Sequence, residues 1–169
     1  MKTIKLLLVW VMSMMCISCS AQRTFSEISS MKGVTSVYVG KTMLKLASSS
    51  MALDSDVTAV NMSKIIKNLT SIEIISCEDK KVAEKVQKKC DSILSKYQMD
   101  VITEVNSNDT NVEISGAFEK DGETLKMILL SVRGGDSQPT YILMKGKINI
   151  NTLTDALIFP KEININQSN

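Results

Sequence analysis

The sequence predicts an α+β fold: a mostly antiparallel sheet of about six strands, with a C-terminal β-meander and helices packed mainly on one face. Three observations predict it. Short runs rich in β-branched residues recur along the chain, and four of them crowd into its last third with turn residues between them. Apolar residues recur at helical spacing over 62–69 and again over 82–97. Once an N-terminal leader is set aside, about 147 residues remain, enough for one domain and too few for two ordinary ones.

Residues 1–21 read as an export signal. Lys2 and Lys5 precede an apolar run from Leu6 to Ile17, which gives way to small residues around Cys19. The run is about a dozen residues long, short of the ~20 that a membrane-spanning helix needs. Two cleavage sites compete. Cys16-Ile17-Ser18-Cys19 has the form of a lipobox with Cys19 as the lipid acceptor, although Cys16 stands where leucine is usual. Alternatively, Cys19 and Ala21 are the small residues of an A-x-A-like site, and cleavage frees Gln22. Acylation at Cys19 would hold the protein on a membrane with little reversibility.

A single domain is expected over 22–160. Thr24 ahead of Phe25, with Glu27 three residues on, has capping-box spacing, so a short helix should run to Met31 and stop at Gly33. Val34 to Val39 is a β-branched run that Gly40 ends, the first strand. Lys41 to Ala47 places Met43, Leu44 and Ala47 on one helical face. Residues 48–60 carry loop chemistry in Ser48-Ser49-Ser50 and Asp54-Ser55-Asp56, and a connection that long is expected to be mobile or functional. Met62, Ile65, Ile66 and Leu69 then mark a helix, and Ile72 to Ile75 a second strand. Glu78 and Asp79 open the longest helix, where acids suit the macrodipole. It turns Val82, Val86, Cys90, Ile93, Leu94 and Tyr97 inward and its lysines outward. Strands follow over 100–106, 111–119, 124–132 and 140–146, joined at Ser107-Asn108-Asp109, Asp121-Gly122 and Gly134-Gly135-Asp136. If the second and third strands lie parallel, the long helix between them is a right-handed crossover. Residues 151–157 suit a closing helix, with Ile158 and Phe159 docking back, and 161–169 is a polar tail.

Composition narrows the chemistry. Without Lys2 and Lys5, the 20 basic residues become 18, against 18 acidic ones. A near-neutral domain is a poor fit to nucleic acid, which selects a clear basic excess. Histidine is absent, which removes the commonest general base and metal ligand. After the leader, Cys77 and Cys90 cannot build a tetrahedral zinc site alone. A disulfide between them is disfavoured, because eleven helical residues from Asp79 to Cys90 span roughly 16 Å, against at most about 7 Å between bridged Cα atoms. Buried free thiols are expected.

The order of helix, strand Ser71-Ile72-Glu73-Ile74-Ile75, long amphipathic helix, and meander ending Tyr141-Ile142-Leu143-Met144-Lys145-Gly146-Lys147-Ile148 is a recognisable pattern. With the export leader and the early Phe25…Gly33-Val34 segment, it resembles the exported Bacteroidetes proteins of the domain of unknown function 4252 family. The resemblance covers nearly all of the chain after the leader, and rests on apolar patterns and one strand-ending Lys-Gly. It implies a small, often lipid-anchored envelope protein, and brings no activity and no catalytic residues.

Other constellations are weak. Gly40-Lys41-Thr42 lies between a strand and a helix, as a P-loop lysine does, but position 35 is threonine where the loop needs glycine. Ser29 stands three residues before Lys32, the spacing of a serine–lysine nucleophile, without the companion elements of that chemistry. Asp54/Asp56 lacks the glycine and final glutamate of a calcium loop, and Glu78/Asp79 suits helix capping. The lysine-rich helix face suits solvent, with anionic lipid headgroups as the alternative contact. No catalytic, cofactor or metal residues are assigned. The expected function is that of a periplasmic or outer-membrane protein, lipid-anchored through Cys19, that binds or scaffolds another envelope protein without catalysis. The alternative is a small-ligand binder with its pocket under 48–60, and a histidine-free hydrolase ranks behind both.

Overall fold

The computed structural model describes residues 23–51, 57–107, 109–135 and 138–152. The leader with Cys19, the Asp54/Asp56 pair, most of the expected closing helix and the tail lie outside the described residues. Helix α1 (Ser26–Ser29) leads into β1 (Val34–Gly40). Helices α2 (Lys41–Met51) and α3 (Val57–Asn68) follow, then β2 (Leu69–Cys77). The long helix α4 (Lys80–Tyr97) connects to β3 (Asp100–Asn106), β4 (Thr110–Phe118), β5 (Thr124–Gly134) and β6 (Thr140–Asn149). Among the described residues, no helix is long and apolar enough to cross a membrane.

The six strands form one sheet in the order β1-β2-β6-β5-β4-β3, every neighbouring pair antiparallel. The predicted α+β class, strand number and antiparallel character hold. The meander does too, with β6 returning to lie between β5 and β2. Four antiparallel steps separate β2 from β3, so the two point the same way and α4 crosses over three intervening strands.

Helices cover both faces of the sheet, not mainly one. On one face α1 and α4 bury Phe25, Ile28, Val86, Cys90 and Ile93 against Ile75, Leu129, Tyr141 and Leu143. On the other, Leu44 of α2 and Ile65 of α3 pack on Leu69, Ile128 and Ile148, with Ile72 and Met144 alongside. The physical reason is in β2: Ile75 and Ile72 have opposite parity and each needs an apolar cover, as in strands buried on both faces.

Local chemistry explains other departures. Ser48, Ser49 and Ser50 belong to α2, where each hydroxyl donates to a carbonyl three or four residues back. Residues 57–60 likewise begin α3, so no loop runs over the whole of 48–60. Met43, expected inward, is exposed, whereas Leu44 and Ser48 are the buried positions of α2. Helix α4 starts as expected, with the Asp79 carboxylate accepting from the Lys81 amide at 2.7 Å. It ends at Gln98, which holds a left-handed φ of 49°.

Candidate functional site

The site grows from one buried carboxylate. Glu73 lies mid-way along β2 with the parity of Ile75 and Cys77, which turns it toward the α1/α4 face, and it is only 3% exposed. A charge taken out of water needs partners. Glu73 finds them in two places. Its oxygens accept the backbone amides of Thr24 and Phe25, each at 2.9 Å, and its Oε1 lies 3.3 Å from Lys145 Nζ. Lys145 is two residues along β6 from Leu143, the residue paired with Glu73, so it stands on the same face as a diagonal neighbour. The same ammonium donates to Thr24 Oγ1.

The capping box expected at Thr24 is therefore absent. Phe25 occupies the N-cap of α1 with no side-chain cap, and α1 ends at Ser29, short of Met31. The amides ahead of that first turn are satisfied from the sheet by Glu73, and Thr24 is used up by Lys145. Glu27 instead pairs across to Lys89 of α4 at 3.5 Å. Two further cations close the neighbourhood. The Arg23 guanidinium lies 4.4 Å over the Tyr38 ring, and Lys96 lies 5.3 Å over the Tyr97 ring.

Between these groups is a half-open hollow of about 190 Å³, lined by Arg23, Thr24, Ser26, Glu27, Lys89, Lys96, Tyr97 and Lys145. Chemically it is a cationic, hydrogen-bonding recess. Lys145 faces Thr24, a hydroxyl beside a lysine, but its ammonium is ion-paired with Glu73 and has no lone pair to take the Thr24 proton. The arrangement fastens the start of the domain to the sheet.

Cys90 on the inner side of α4 and Cys77 at the end of β2 are both free and buried, as expected. Burial, reinforced by Asp91 and Cys77, pushes the Cys90 thiol up to about 12. Burial likewise raises Cys77 and lifts Tyr141 to about 12, whose hydroxyl donates to Gln87 at 3.1 Å. Thiols so raised are poor nucleophiles at neutral pH.

The remaining sequence candidates fall apart in space. Ser29 donates to the Ser26 carbonyl, and Lys32 points into solvent. Gly40-Lys41 is the plain junction of β1 and α2. Among the described residues, no three His, Cys, Asp or Glu side chains gather as metal ligands. Glu73 and Lys145 were not singled out from sequence, yet a signal was present: within Ile72-Glu73-Ile74-Ile75 the glutamate shares the parity of Ile75, an apolar neighbour on the same face. Lys145-Gly146, read as ending a strand, lies within β6, which continues to Asn149.

Compared with known protein families, residues 26–156 match a family described as Domain of unknown function (DUF4252). No curated protein matches the chain, and no solved structure does.

Proposed function

The chain belongs to the DUF4252 family, and from that premise we propose an exported envelope protein, lipid-anchored through Cys19, that binds a protein partner without catalysis. The observation that carries the binding role is β3. This edge strand is exposed along all seven residues, with Val101 58% and Val105 54% exposed and Ile102 beside them. An uncovered edge with apolar side chains is a template for another strand. The partner is accordingly one that offers an extended segment with apolar residues at alternate positions, pairing main chain to main chain. The envelope reading is supported by the leader layout and by the position of the fold. Only three residues lie between Cys19 and Arg23, so the two are at most about 14 Å apart along an extended chain. A lipid on Cys19 would therefore keep the N-terminal segment that Glu73 fastens close to the bilayer.

Two measurements test the proposal. Metabolic palmitate labelling should mark the wild-type chain and be lost in Cys19→Ser; label that survives the substitution refutes the anchor. A photo-crosslinking residue at Val105, activated in intact cells, should trap a different protein. A product of twice the chain's own mass would make the occupant a second copy and overturn the heterologous reading.

A further inference from the structure

We propose that the hollow between α1, α4 and β6 is a phosphate-binding site, taking a phosphomonoester or phosphodiester group. Four basic residues from separate parts of the chain line it: Arg23 before α1 (its guanidinium rests on Tyr38), Lys89 and Lys96 on α4, and Lys145 on β6. Two of the charges are already answered, Lys145 by Glu73 and Lys89 by Glu27. Arg23 and Lys96 have no carboxylate within 4 Å among the described residues, and each rests on an aromatic face instead. The hollow therefore carries an excess of two positive charges. It also presents the hydroxyls of Thr24 and Ser26.

Size and chemistry both suit phosphate. The volume of about 190 Å³ leaves room for a tetrahedral anion that keeps part of its hydration. A guanidinium fork beside an ammonium is the donor set that phosphate oxygens select. Stacking on Tyr38 fixes the plane of Arg23, so less freedom is lost when it binds. The overall charge of the chain, +2 with the leader included, gives no hint of this local excess. It arises because the crossover of α4 brings Lys89 and Lys96 against the N-terminal segment.

The phosphate can come from a lipid headgroup or from a soluble phosphate compound, and the experiment separates the two. The full chain and an Arg23→Gln/Lys96→Gln double variant are compared, with Lys80→Gln/Lys81→Gln as a control on the same helix away from the hollow. In the first arm, thermal unfolding is followed in inorganic phosphate and in chloride at equal ionic strength. In the second, sedimentation measures binding to vesicles of phosphatidylcholine alone and with one-third phosphatidylglycerol. A lipid on Cys19 contributes to both vesicle types, so the ratio between them reads the hollow. The expected result is a phosphate-specific rise in melting temperature that the double variant loses and the control keeps. If lipid is the source, the anionic-to-neutral binding ratio also falls about fivefold for each charge removed. A phosphate effect with an unchanged vesicle ratio supports a soluble source. If the double variant matches wild type in both arms, or the control changes as much, the site is refuted.

Discussion

Glu73 shows how one side chain can position a whole segment. Its carboxylate gathers two backbone amides and an ammonium from residues far apart in sequence. Glu73→Ala would leave Lys145 without its counter-charge and return the Thr24 and Phe25 amides to solvent. Lys145 keeps partial access to water, so the cost is mainly that of the lost charged hydrogen bonds, about 1–3 kcal/mol, and urea unfolding should show a loss of that order. A loss below about 1 kcal/mol would mean that the fold does not depend on the clasp. The buried titratable groups predict a second behaviour. Cys90 and Tyr141 are each raised to about 12 by burial, and Cys77 is raised too. Unfolded thiols ionise near 9 and tyrosine near 10. Above those values the unfolded chain gives up protons that the folded chain keeps. For Cys90 and Tyr141 this stability is fully present below pH 8 and is lost as pH rises toward 12, at about 1.4 kcal/mol per pH unit for each of the two. Under reducing conditions the urea midpoint should stay level near neutrality and fall steeply from about pH 9. A level midpoint to pH 11 would contradict the burial of these groups. Sequence alone placed Cys90 on the inward stripe of α4, because a helical period is visible in one element. It did not reveal the partners of Glu73, since cross-strand register is set by the whole sheet.

At the scale of elements, the junction of α3 with β2 depends on Gly146. A methyl group there would come within 2.5 Å of the Asn68 carbonyl oxygen and 2.6 Å of the Leu69 Cα, both backbone atoms with little room to move. Gly146→Ala should cost about 1–3 kcal/mol, as overpacking does. Gly40→Ala is the comparison: its nearest neighbour is a Tyr38 side-chain carbon at 3.4 Å. That change should be near neutral, because alanine also loses less entropy on folding. Equal costs at the two sites would remove the close approach as the reason for glycine at 146. The Lys-Gly pair thus has two jobs, Lys145 answering Glu73 and Gly146 admitting the helix end. Strand identities and most bounds were legible because turn residues and β-branched runs are local signals. The α2–α3 pair was not fully legible. Ser48 to Ser50 read as a loop, but their hydroxyls bond back along the helix, and Ser63 Oγ bonds to the Ser48 carbonyl at 2.7 Å across the two helices. Small side chains let the helices approach, which only tertiary packing discloses.

For the molecule as a whole, the distribution of helices decides which surfaces remain available. α1 and α4 cover one face, and α2 and α3 pack on the Leu69, Ile128 and Ile148 region of the other. β3 lies beyond the cover on either side, exposed at every residue. Natural edge strands are commonly guarded by charged side chains, lysine above all, by proline, by bulges or by extreme shortness. β3 has neither lysine nor proline, carries only Asp100 and Glu104 as charges, and runs for seven positions. Its only interruption is a register shift between Val101 and Thr103. A strand added to this edge would meet Val105, so Val105→Lys should oppose pairing by placing an ammonium where the partner's apolar side chains pack. The substitution lies on an exposed site and should cost the fold less than about 0.5 kcal/mol. Binding and folding can therefore be read separately. With the photo-crosslinking residue moved to the neighbouring Thr103, Val105→Lys should cut partner capture severalfold while the melting temperature stays within a few degrees of wild type. Capture at the wild-type level from a chain carrying Val105→Lys would remove β3 from the interface. A large fall in melting temperature would instead show that Val105 supports the fold, because an edge kept open for a partner contributes little to the stability of the isolated chain.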